Sequence, residues 1–442
     1  MHDDEFEVDE EEFEETHGIE DGEEKEATSL LVGVYTGGER GRPLCEEHLN
    51  ELEALADTFG CSVGQKLAVP LRGGLDAATF ITKGKVEEIK ELIEQGNINL
   101  VIFDDEITPA QQRNLEKLFK VAVMDRTELI LEIFYQRAET KEAKLQIDLA
   151  RIKYEFPRLK RLWSHFSRQR HSGGYLKGEG EKQLEIDKRL LKKRLQKLRN
   201  ELEEVKKVRR TQRQQRERSH ISTFAIVGYT NVGKSTLLNT LTASDVLVED
   251  KLFATLDPTT RKFTLPDNQQ VLLTDTVGFI RKIPHTLVAA FRSTLESALH
   301  DDVILHLIDA SHPLCLEQAE TTRKLLHELN GNEDSIITVL NKCDLCEDDA
   351  MINRLKIRYP KTAVISATNQ TGFDELMQLM MKELSEKKSK VKLKIPQSRY
   401  DLVALLRERA NVLYEEYEDN DVVILAELPK TDLYHFESYV VE

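Results

Sequence analysis

One glycine-rich loop constrains this sequence more than any other stretch. Its residues are Gly228, Tyr229, Thr230, Asn231, Val232, Gly233, Lys234 and Ser235. An apolar run at 224–227 precedes it as a predicted buried strand, and residues 236–241 follow it with helical spacing. Strand, glycine loop and helix in this order are typical of a phosphate-binding loop, because glycines let backbone N–H groups converge on phosphate oxygens.

Two side chains of this loop have predicted roles in phosphate chemistry. Lys234 would reach the β- and γ-phosphates of a nucleotide, and the Ser235 hydroxyl would bind Mg²⁺. The alternative is a glycine turn before an ordinary helix. The motifs further along the chain argue against that alternative.

The next motif follows a predicted strand at 271–274. It consists of Asp275, Thr276, Val277 and Gly278. An acid at a strand end can hold Mg²⁺ through water, and Gly278 can offer its N–H to the γ-phosphate.

A third motif selects the base of the nucleotide. The predicted strand 336–340 ends in Asn341, Lys342, Cys343 and Asp344. An aspartate can accept from both N1–H and N2–H₂ of guanine, which adenine cannot match. Lys342 would pack over the base, and Asn341 would tie this loop to the phosphate loop. The last strand of this region, 363–365, ends in Ser366, Ala367 and Thr368. The ordered set predicts a GTP site rather than an ATP site.

The chain of 442 residues is long enough for roughly three domains. We predict an α/β multidomain protein with five segments. They are an acidic disordered tail (1–27), an N-terminal α/β domain (28–137), a basic helical hairpin with a glycine-rich tip (138–219), a P-loop GTPase domain with a mostly parallel sheet and helices on both faces (220–387), and a small C-terminal αβ domain (391–442).

Strand and helix signals alternate in the N-terminal segment. Strands are predicted at 29–35, 62–69, 100–103 and 121–124, and helices at 46–58, 84–94 and 109–119. Thr108 is a predicted N-cap before Pro109. Three adjacent acids, Asp104, Asp105 and Glu106, are predicted to form a solvated strand-to-helix turn, and an acid/base pair is the alternative. The alternation indicates a parallel sheet covered by helices.

A helical hairpin is predicted from the next region. One helix would span 127–168 with a kink at Pro157, and a leucine heptad marks the second helix. The heptad positions are Leu184, Leu191, Leu195, Leu198, Leu202 and Val205. In the small C-terminal domain, strands are predicted at 391–395 and 422–428 with a helix at 401–410.

Charge is distributed unevenly. Residues 1–26 contain 15 acids and one lysine, whereas residues 151–219 contain 23 Lys and Arg against 9 Asp and Glu. The basic segment is a candidate RNA-binding surface, with Arg168, Arg170 and Lys177 near its glycine-rich tip as the candidate contacts. A solvated charged hairpin is the alternative, and peripheral membrane association through the basic helices stays open.

Composition limits where the protein acts. No run of about 18 apolar residues exists to span a membrane, and the acidic N-terminus is unlike a secretory signal. We therefore expect a cytoplasmic protein, and we expect a monomer. The five cysteines are scattered, so Cys343 and Cys346 are expected to be free thiols rather than half of a zinc site.

Taken together, these motifs resemble the HflX family of ribosome-associated GTPases. The resemblance covers about 28–387 and rests on strings outside the shared phosphate loop. These are 80–86 (FITKGKV), 101–106 (VIFDDE), 125–131 (DRTELIL), 183–187 (QLEID) and 282–288 (KIPHTLV). The hairpin tip reads KGEGE at 177–181, where the family usually has RGPGE.

The resemblance implies a GTPase that binds the large ribosomal subunit with GTP and splits or recycles stalled or idle ribosomes. It implies Ser235 and Thr255 as Mg²⁺ ligands. It also adds GTP-contacting residues, namely Phe253, Ala254, Thr255, Leu256, Asp257, Ser366, Ala367 and Thr368. Asn231 resembles a residue that helps to bind K⁺ in potassium-activated G proteins, although a plain polar loop residue is the alternative.

No catalytic side chain is visible at the usual position. Phe279 follows Gly278, where Ras-like proteins carry a glutamine that orients water, and phenylalanine cannot do this by hydrogen bonding. We therefore expect slow intrinsic conversion of GTP to GDP and phosphate, stimulated by the ribosome, with Lys234 stabilising phosphate charge. The alternatives are a GTP-gated RNA- or ribosome-binding scaffold and an RNA-unwinding NTPase.

Overall fold

A computed structural model describes most of the chain. The described residues are 28–71, 73–169, 179–217, 221–242, 252–284, 287, 303–329, 333–346, 349–418, 420–429 and 433–441. The predicted acidic tail, Arg170 and Lys177 lie outside these ranges. Arg168 lies in a helix, but its side chain is outside the described part.

The N-terminal sheet is parallel, with strand order β2-β1-β3-β4. Its strands are β1 (Thr28–Tyr35), β2 (Ser62–Pro70), β3 (Leu100–Phe103) and β4 (Ala122–Asp125). The helices are α1 (Arg42–Phe59), α2 (Lys83–Gly96), α3 (Pro109–Phe119) and α4 (Arg126–Arg137). We call β1–β4 with α1–α4 the N-terminal unit. Its alternating elements match the predicted ones.

Both faces of this sheet are covered, because side chains alternate along each strand. Leu31 packs with residues of α1 and α4, whereas Leu30 and Val32 pack with α2 and α3. The predicted cap of α3 is present as a reciprocal pair. The Gln111 N–H donates to Thr108 Oγ1 (3.3 Å) and the Thr108 N–H donates to Gln111 Oε1 (2.9 Å).

The single helix predicted over 127–168 is wrong. The chain forms α4 and then a separate helix, α5 (Lys141–Gln169), with a break at 138–140. Thr140 caps α5, because its Oγ1 accepts from the Ala143 N–H at 3.2 Å. Pro157 lies inside α5, which continues through it.

The leucine seam pairs α5 with α6 (Glu179–Glu217), as the heptad predicts. Leu145, Leu149 and Ile152 of α5 form one buried cluster with Leu198 and Leu202 of α6. Leu191, Leu195 and Val205 pack against this cluster. The two consecutive helices therefore form a hairpin held by apolar burial.

The central sheet has six strands in the order β10-β9-β8-β5-β7-β6. They are β5 (Ser222–Gly228), β6 (Thr259–Thr264), β7 (Gln270–Asp275), β8 (Val303–Asp309), β9 (Ile336–Asn341) and β10 (Thr362–Val364). All neighbours pair in parallel except β6 and β7. The sheet is thus mostly parallel, as predicted, but β6 was not predicted.

Helices cover both faces of the central sheet. They are α7 (Lys234–Thr242), α8 (Cys315–Glu328), α9 (Asp349–Arg358) and α10 (Phe373–Lys387). Leu305 and Leu307 of β8 share a core with Met380 of α10. Ile308 packs on the other face with Ala319 of α8.

The C-terminal sheet is antiparallel, with order β11-β13-β12. Its elements are β11 (Lys388–Pro396), α11 (Tyr400–Arg409), β12 (Asn411–Glu418) and β13 (Asp421–Pro429). Leu393, Leu406 and Ile424 form part of its own core. Strand β12 was not predicted.

A polar cluster joins α5 to the N-terminal unit. Asp125 caps α4 by accepting from the Glu128 N–H (2.9 Å), and it accepts from the Tyr154 hydroxyl (2.9 Å) and from Arg158 (3.2 Å). Gln112 donates to Glu128 Oε2 at 3.0 Å. Burial, with the charge of Asp125 adding to it, raises the pKa of Glu128 to about 7.

This raised pKa predicts a pH-dependent cost at Glu128. A folded-state pKa of about 7, against 4.5 for the free side chain, means that stability is lost as pH rises from about 4.5 through 7. Replacing Glu128 with Gln keeps an acceptor for Gln112 and removes the charge. We expect Glu128→Gln to raise the free energy of unfolding at pH 8 by about 1–3 kcal/mol, and by much less at pH 5.

Urea unfolding of the full chain at both pH values measures this difference. Glu94→Gln, at an exposed position on α2, is the matched control and should change stability at neither pH. An equal effect of Glu128→Gln at pH 5 and pH 8 would contradict the assignment.

Candidate functional site

The predicted phosphate loop lies at the carboxyl end of β5, where α7 begins. Gly233 has a φ of +90°, and a Cβ there would lie 2.4 Å from Asn341 Nδ2. A Cβ on Gly278 would lie 2.7 Å from Thr230 Cγ2. Both glycines therefore satisfy a close approach that no other residue allows.

Lys234 is buried inside this loop. Its Nζ donates to the Tyr229 carbonyl at 2.7 Å and lies 3.4 Å from the Gly228 carbonyl. Burial lowers the pKa of Lys234 to about 8, and the nearby Asp275 opposes that shift. The ammonium group of Lys234 thus adds a positive charge to the backbone N–H groups that can bind phosphate oxygens.

The three predicted Mg²⁺ residues are brought together. Ser235 Oγ lies 2.8 Å from Thr255 Oγ1 and donates to Asp275 Oδ2 at 2.7 Å. Among the described residues, Asp275 Oδ1 is buried and has no hydrogen-bond partner. Burial raises the pKa of Asp275, while Lys234 and Ser235 oppose the rise. Hard oxygen ligands with one unsatisfied carboxylate oxygen fit Mg²⁺.

A cleft of about 50 Å³ opens beside these groups. It is lined by Thr230, Asn231, Gly233, Lys234, Ser235, Thr236, Phe253, Ala254, Thr255 and Gly278. Segments that are far apart in the sequence, including the phosphate loop, residues 253–255 and Gly278, therefore meet at one place. Thr236 was not among the predicted contacts.

Several predicted contacts do not line this cleft. The Thr276 hydroxyl donates to the Ile226 carbonyl at 2.8 Å, and Val277 and Leu256 are buried in the core. Asp257 accepts from the N–H and hydroxyl of Thr140, at 3.1 Å and 2.6 Å. The side chains of these four residues are therefore engaged outside the cleft.

The predicted base-recognition loops follow β9 and β10. Asn341 joins them to the phosphate loop, since its Nδ2 donates to the Val232 carbonyl (2.8 Å) and its Oδ1 accepts from the Ala367 N–H (3.0 Å). Lys342 pairs with Asp309 at 2.8 Å, and Asp344 is exposed. Asn341 thus has the tying role expected from the sequence.

The remaining residues of these loops are also placed. The Cys343 N–H donates to the Ile365 carbonyl at 3.2 Å, and Ser366 Oγ accepts from the Asn369 N–H at 3.1 Å. Thr368 is exposed. The two loops are therefore held side by side, with Asp344 and Thr368 at their surface.

Phe279 contributes no polar group to the cleft. Its side chain is 2% exposed and belongs to the core. Its backbone pairs with the phosphate loop, because the Thr230 N–H donates to the Phe279 carbonyl (2.7 Å) and the Phe279 N–H donates to the Gly228 carbonyl (3.0 Å). The side chain at this position therefore cannot orient a water molecule.

The prediction that Asp104 lies in a solvated turn is wrong. Asp104 is 4% exposed, and its carboxylate accepts from Arg126 (3.0 Å), Arg281 (2.9 Å) and Lys282 (3.1 Å). Burial alone would raise the pKa of Asp104, but these cations together lower it. A pair of acids directly after a short apolar strand, at the carboxyl edge of a parallel sheet, was the available signal.

The described residues also bear on the cysteines, on metal binding and on membrane-spanning helices. None of Cys45, Cys61, Cys315, Cys343 and Cys346 forms a disulfide, and no group of three or more His, Cys, Asp or Glu among the described residues could hold a metal. No described helix combines the length and apolar character needed to cross a membrane.

Three protein families match successive parts of the chain. Residues 46–135 match the family described as GTP-binding GTPase N-terminal, and residues 137–216 match its counterpart, GTP-binding GTPase Middle Region. Residues 223–342 match the family described as 50S ribosome-binding GTPase.

Relatives extend over most of the chain. GTPase HflX of Chlamydia pneumoniae is 48% identical over 412 residues, which cover 92% of this chain and 87% of that protein. GTPase HflX of Escherichia coli K12 is 39% identical over 412 residues, covering 91% and 94%. A GTP-binding protein from Sulfolobus solfataricus, solved with GDP, is 26% identical and covers 81% of this chain and 99% of its own, with a TM-score of 0.43.

The geometry of the base loop predicts a switch of base selectivity at Asp344. An asparagine there can no longer accept from both guanine N–H groups, but its amide can donate to the extra carbonyl of xanthine. We expect Asp344→Asn to weaken GTP binding about 10- to 100-fold and to strengthen binding of xanthosine triphosphate.

Titration of the full chain with fluorescent nucleotides measures both affinities. Asp267→Asn, in the exposed turn between β6 and β7, is the matched control and should bind as the unaltered chain does. Unchanged GTP affinity in Asp344→Asn would show that another residue selects the base.

Proposed function

Because the chain belongs to the HflX family of GTPases, we propose that it binds the large ribosomal subunit with GTP and splits or recycles stalled or idle ribosomes. The observation that carries ribosome binding is the match of residues 223–342 to the family described as 50S ribosome-binding GTPase. Relatives named GTPase HflX match about nine-tenths of the chain. GTP hydrolysis is the activity of this family.

We assign the nucleotide-binding roles to the residues that meet at the cleft. Lys234 and the N–H groups of the phosphate loop would bind the phosphates, and Asp344 would bind guanine. Ser235, Thr255 and Asp275 would hold Mg²⁺, which neutralises negative charge on the phosphates when it is bound. The Gly278 N–H would meet the γ-phosphate.

Slow hydrolysis in isolation follows from Phe279. The side chain after Gly278 lies in the core, so the chain has no hydrogen-bonding group there to position the attacking water. We infer that the ribosome completes the site, either by ordering the segments around the cleft or by supplying a group. This is the physical basis for a GTPase whose slow hydrolysis is accelerated when it is docked.

The hairpin of α5 and α6 is the proposed ribosome-contacting arm. Its helices are basic and rigidly paired along the leucine seam, and Arg168, Arg170 and Lys177 are the proposed RNA contacts near its tip. We also propose that the chain divides into the N-terminal domain (28–137), the hairpin (138–219), the GTPase domain (220–387) and the C-terminal domain (391–442).

Stimulation of GTP turnover by ribosomes tests this function first. We expect turnover to rise at least about tenfold on adding large ribosomal subunits, because the isolated site lacks a group that orients water. Lys234→Ala should abolish the stimulated rate. Lys262→Ala, at an exposed position on β6, should keep it.

Sedimentation of intact ribosomes with the protein and GTP then tests splitting directly. Separate subunits should accumulate with the unaltered chain and with Lys262→Ala. Turnover that is equal with and without ribosomes, with tight GTP binding, would instead favour a GTP-gated scaffold. Stimulated turnover without subunit release would reject ribosome splitting but not ribosome-stimulated GTP hydrolysis.

We also propose that K⁺ supports the phosphate loop through Asn231, which lines the cleft. A monovalent cation there would add positive charge beside the phosphates. Replacing K⁺ with Na⁺ at constant ionic strength should lower turnover several-fold, and Asn231→Ala should remove this dependence. Equal rates of the unaltered chain in the two salts would reject the site.

A further inference from the structure

A buried cluster of charged and hydroxyl groups links the N-terminal unit to the phosphate site. Glu51, Asp104 and Arg126 belong to the N-terminal unit, and Tyr229 and Arg281 belong to the central sheet region. Arg126 is 1% exposed and binds Glu51 and Asp104. Two acids face two arginines here, so the cluster carries no net charge.

Tyr229 lies at the junction of this cluster with the phosphate loop. Its hydroxyl donates to Glu51 Oε2 at 2.8 Å and accepts from the Arg281 N–H at 2.6 Å. Its carbonyl accepts from Lys234 at 2.7 Å. Tyr229 therefore contacts Lys234 of the phosphate loop, Arg281 after Gly278 and Glu51 of the N-terminal unit.

Arg281 is fixed to the N-terminal unit at two points. Its guanidinium donates to both Asp104 oxygens at 2.9 Å, and its carbonyl accepts from Arg126 Nε at 3.2 Å. The adjacent Lys282 adds contacts to Asp104 and Asp105. The segment after Gly278 is thus held by its side chains as well as by its backbone.

Gly278 lies between these two anchored segments. A Cβ on Gly278 would lie 3.0 Å from Lys234 Nζ and 2.7 Å from Thr230 Cγ2, so the segment packs directly on the phosphate loop. Tyr229 bonds to Arg281 across this contact, so its hydroxyl, together with the backbone pairing of Phe279, helps to fix the Gly278 N–H relative to Lys234. A displacement of about 1 Å there is enough to weaken a hydrogen bond to phosphate.

We propose that Tyr229 and Glu51 are positioning residues that set the preference for GTP over GDP. The N-terminal unit thereby forms part of the GTP site. Gly278 would contact only the γ-phosphate, so an error in its position weakens GTP and spares GDP. This inference rests on the proposed role of Gly278 and not on ribosome splitting.

The test is the ratio of affinities for a non-hydrolysable GTP analogue and for GDP, measured on the full chain without ribosomes. Tyr229→Phe removes one hydroxyl and keeps the buried ring. We expect the GTP analogue to bind about 5- to 50-fold more weakly and GDP to stay within about twofold. Tyr135→Phe, on the half-exposed face of α4, is the matched control and should leave both affinities unchanged.

A second variant tests whether Glu51 acts through Tyr229. Glu51→Gln keeps a side-chain oxygen for the Tyr229 hydroxyl but removes the charge that Arg126 also pairs with. Urea unfolding first checks that the variant is folded, and we then expect a smaller loss in the same ratio. In the double variant the ratio should equal that of Tyr229→Phe alone, because coupled residues are not additive. A merely structural role would add the two effects.

Three results would overturn the inference. They are an unchanged affinity ratio in Tyr229→Phe, equal weakening of both nucleotides, and additive effects in the double variant. None of these results bears on ribosome splitting, because no ribosome is present. Conversely, no stimulation of the unaltered chain by ribosomes, together with the altered affinity ratio in Tyr229→Phe, would support this inference and contradict the proposed function.

Discussion

The fully buried guanidinium of Arg126 holds the N-terminal unit against the central sheet. A buried cation is stable only when neighbouring acids and carbonyls replace its hydration. Arg126 finds two acids, Glu51 and Asp104, and the Arg281 carbonyl. Both acids raise the pKa of Arg126 against the effect of burial. Removing either acid would leave an uncompensated buried charge, which typically costs about 3–5 kcal/mol. The Arg281 carbonyl and the ion pair of Arg281 with Asp104 extend this buried cluster to the central sheet region.

A second connection joins the N-terminal unit and the start of α5 to residues 253–257. Phe134 at the end of α4 packs on Phe253 with ring centroids 4.5 Å apart, and Thr140 at the start of α5 binds Asp257. The segment 253–257 carries Thr255, which meets Ser235 in the site. Both chain segments that flank the cleft are thus attached to the N-terminal unit, and one of them is attached where the hairpin begins. Rigid helices can carry a displacement at that point along the hairpin.

Local motifs allowed much of this structure to be predicted from the sequence. The strand–loop–helix of the phosphate site and the leucine seam depend on short-range spacing, so they were predicted. Asp104 was misjudged because its partners Arg126 and Arg281 are far away in the sequence, and burial by a distant segment leaves no local periodicity. Strands β6 and β12 were missed because their polar, charged sequences lack the apolar alternation of a half-buried strand. The break between α4 and α5 was missed because residues 138–140 contain no glycine or proline, which are the usual signals for the end of a helix.

These contacts bear on the proposed control of a GTPase that has no polar side chain after Gly278. The backbone of Phe279 is paired with the phosphate loop, and Arg281 is fixed to the N-terminal unit two residues later. The chain from Phe279 to Arg281 is therefore held at both ends. Asp104 does not line the nucleotide cleft, and it is buried at the contact between the N-terminal unit and Arg281. A displacement of the N-terminal unit would therefore be transmitted to Gly278 through salt bridges and hydrogen bonds. A partner that binds the N-terminal unit or the hairpin would not need to enter the nucleotide cleft in order to change the rate of GTP hydrolysis.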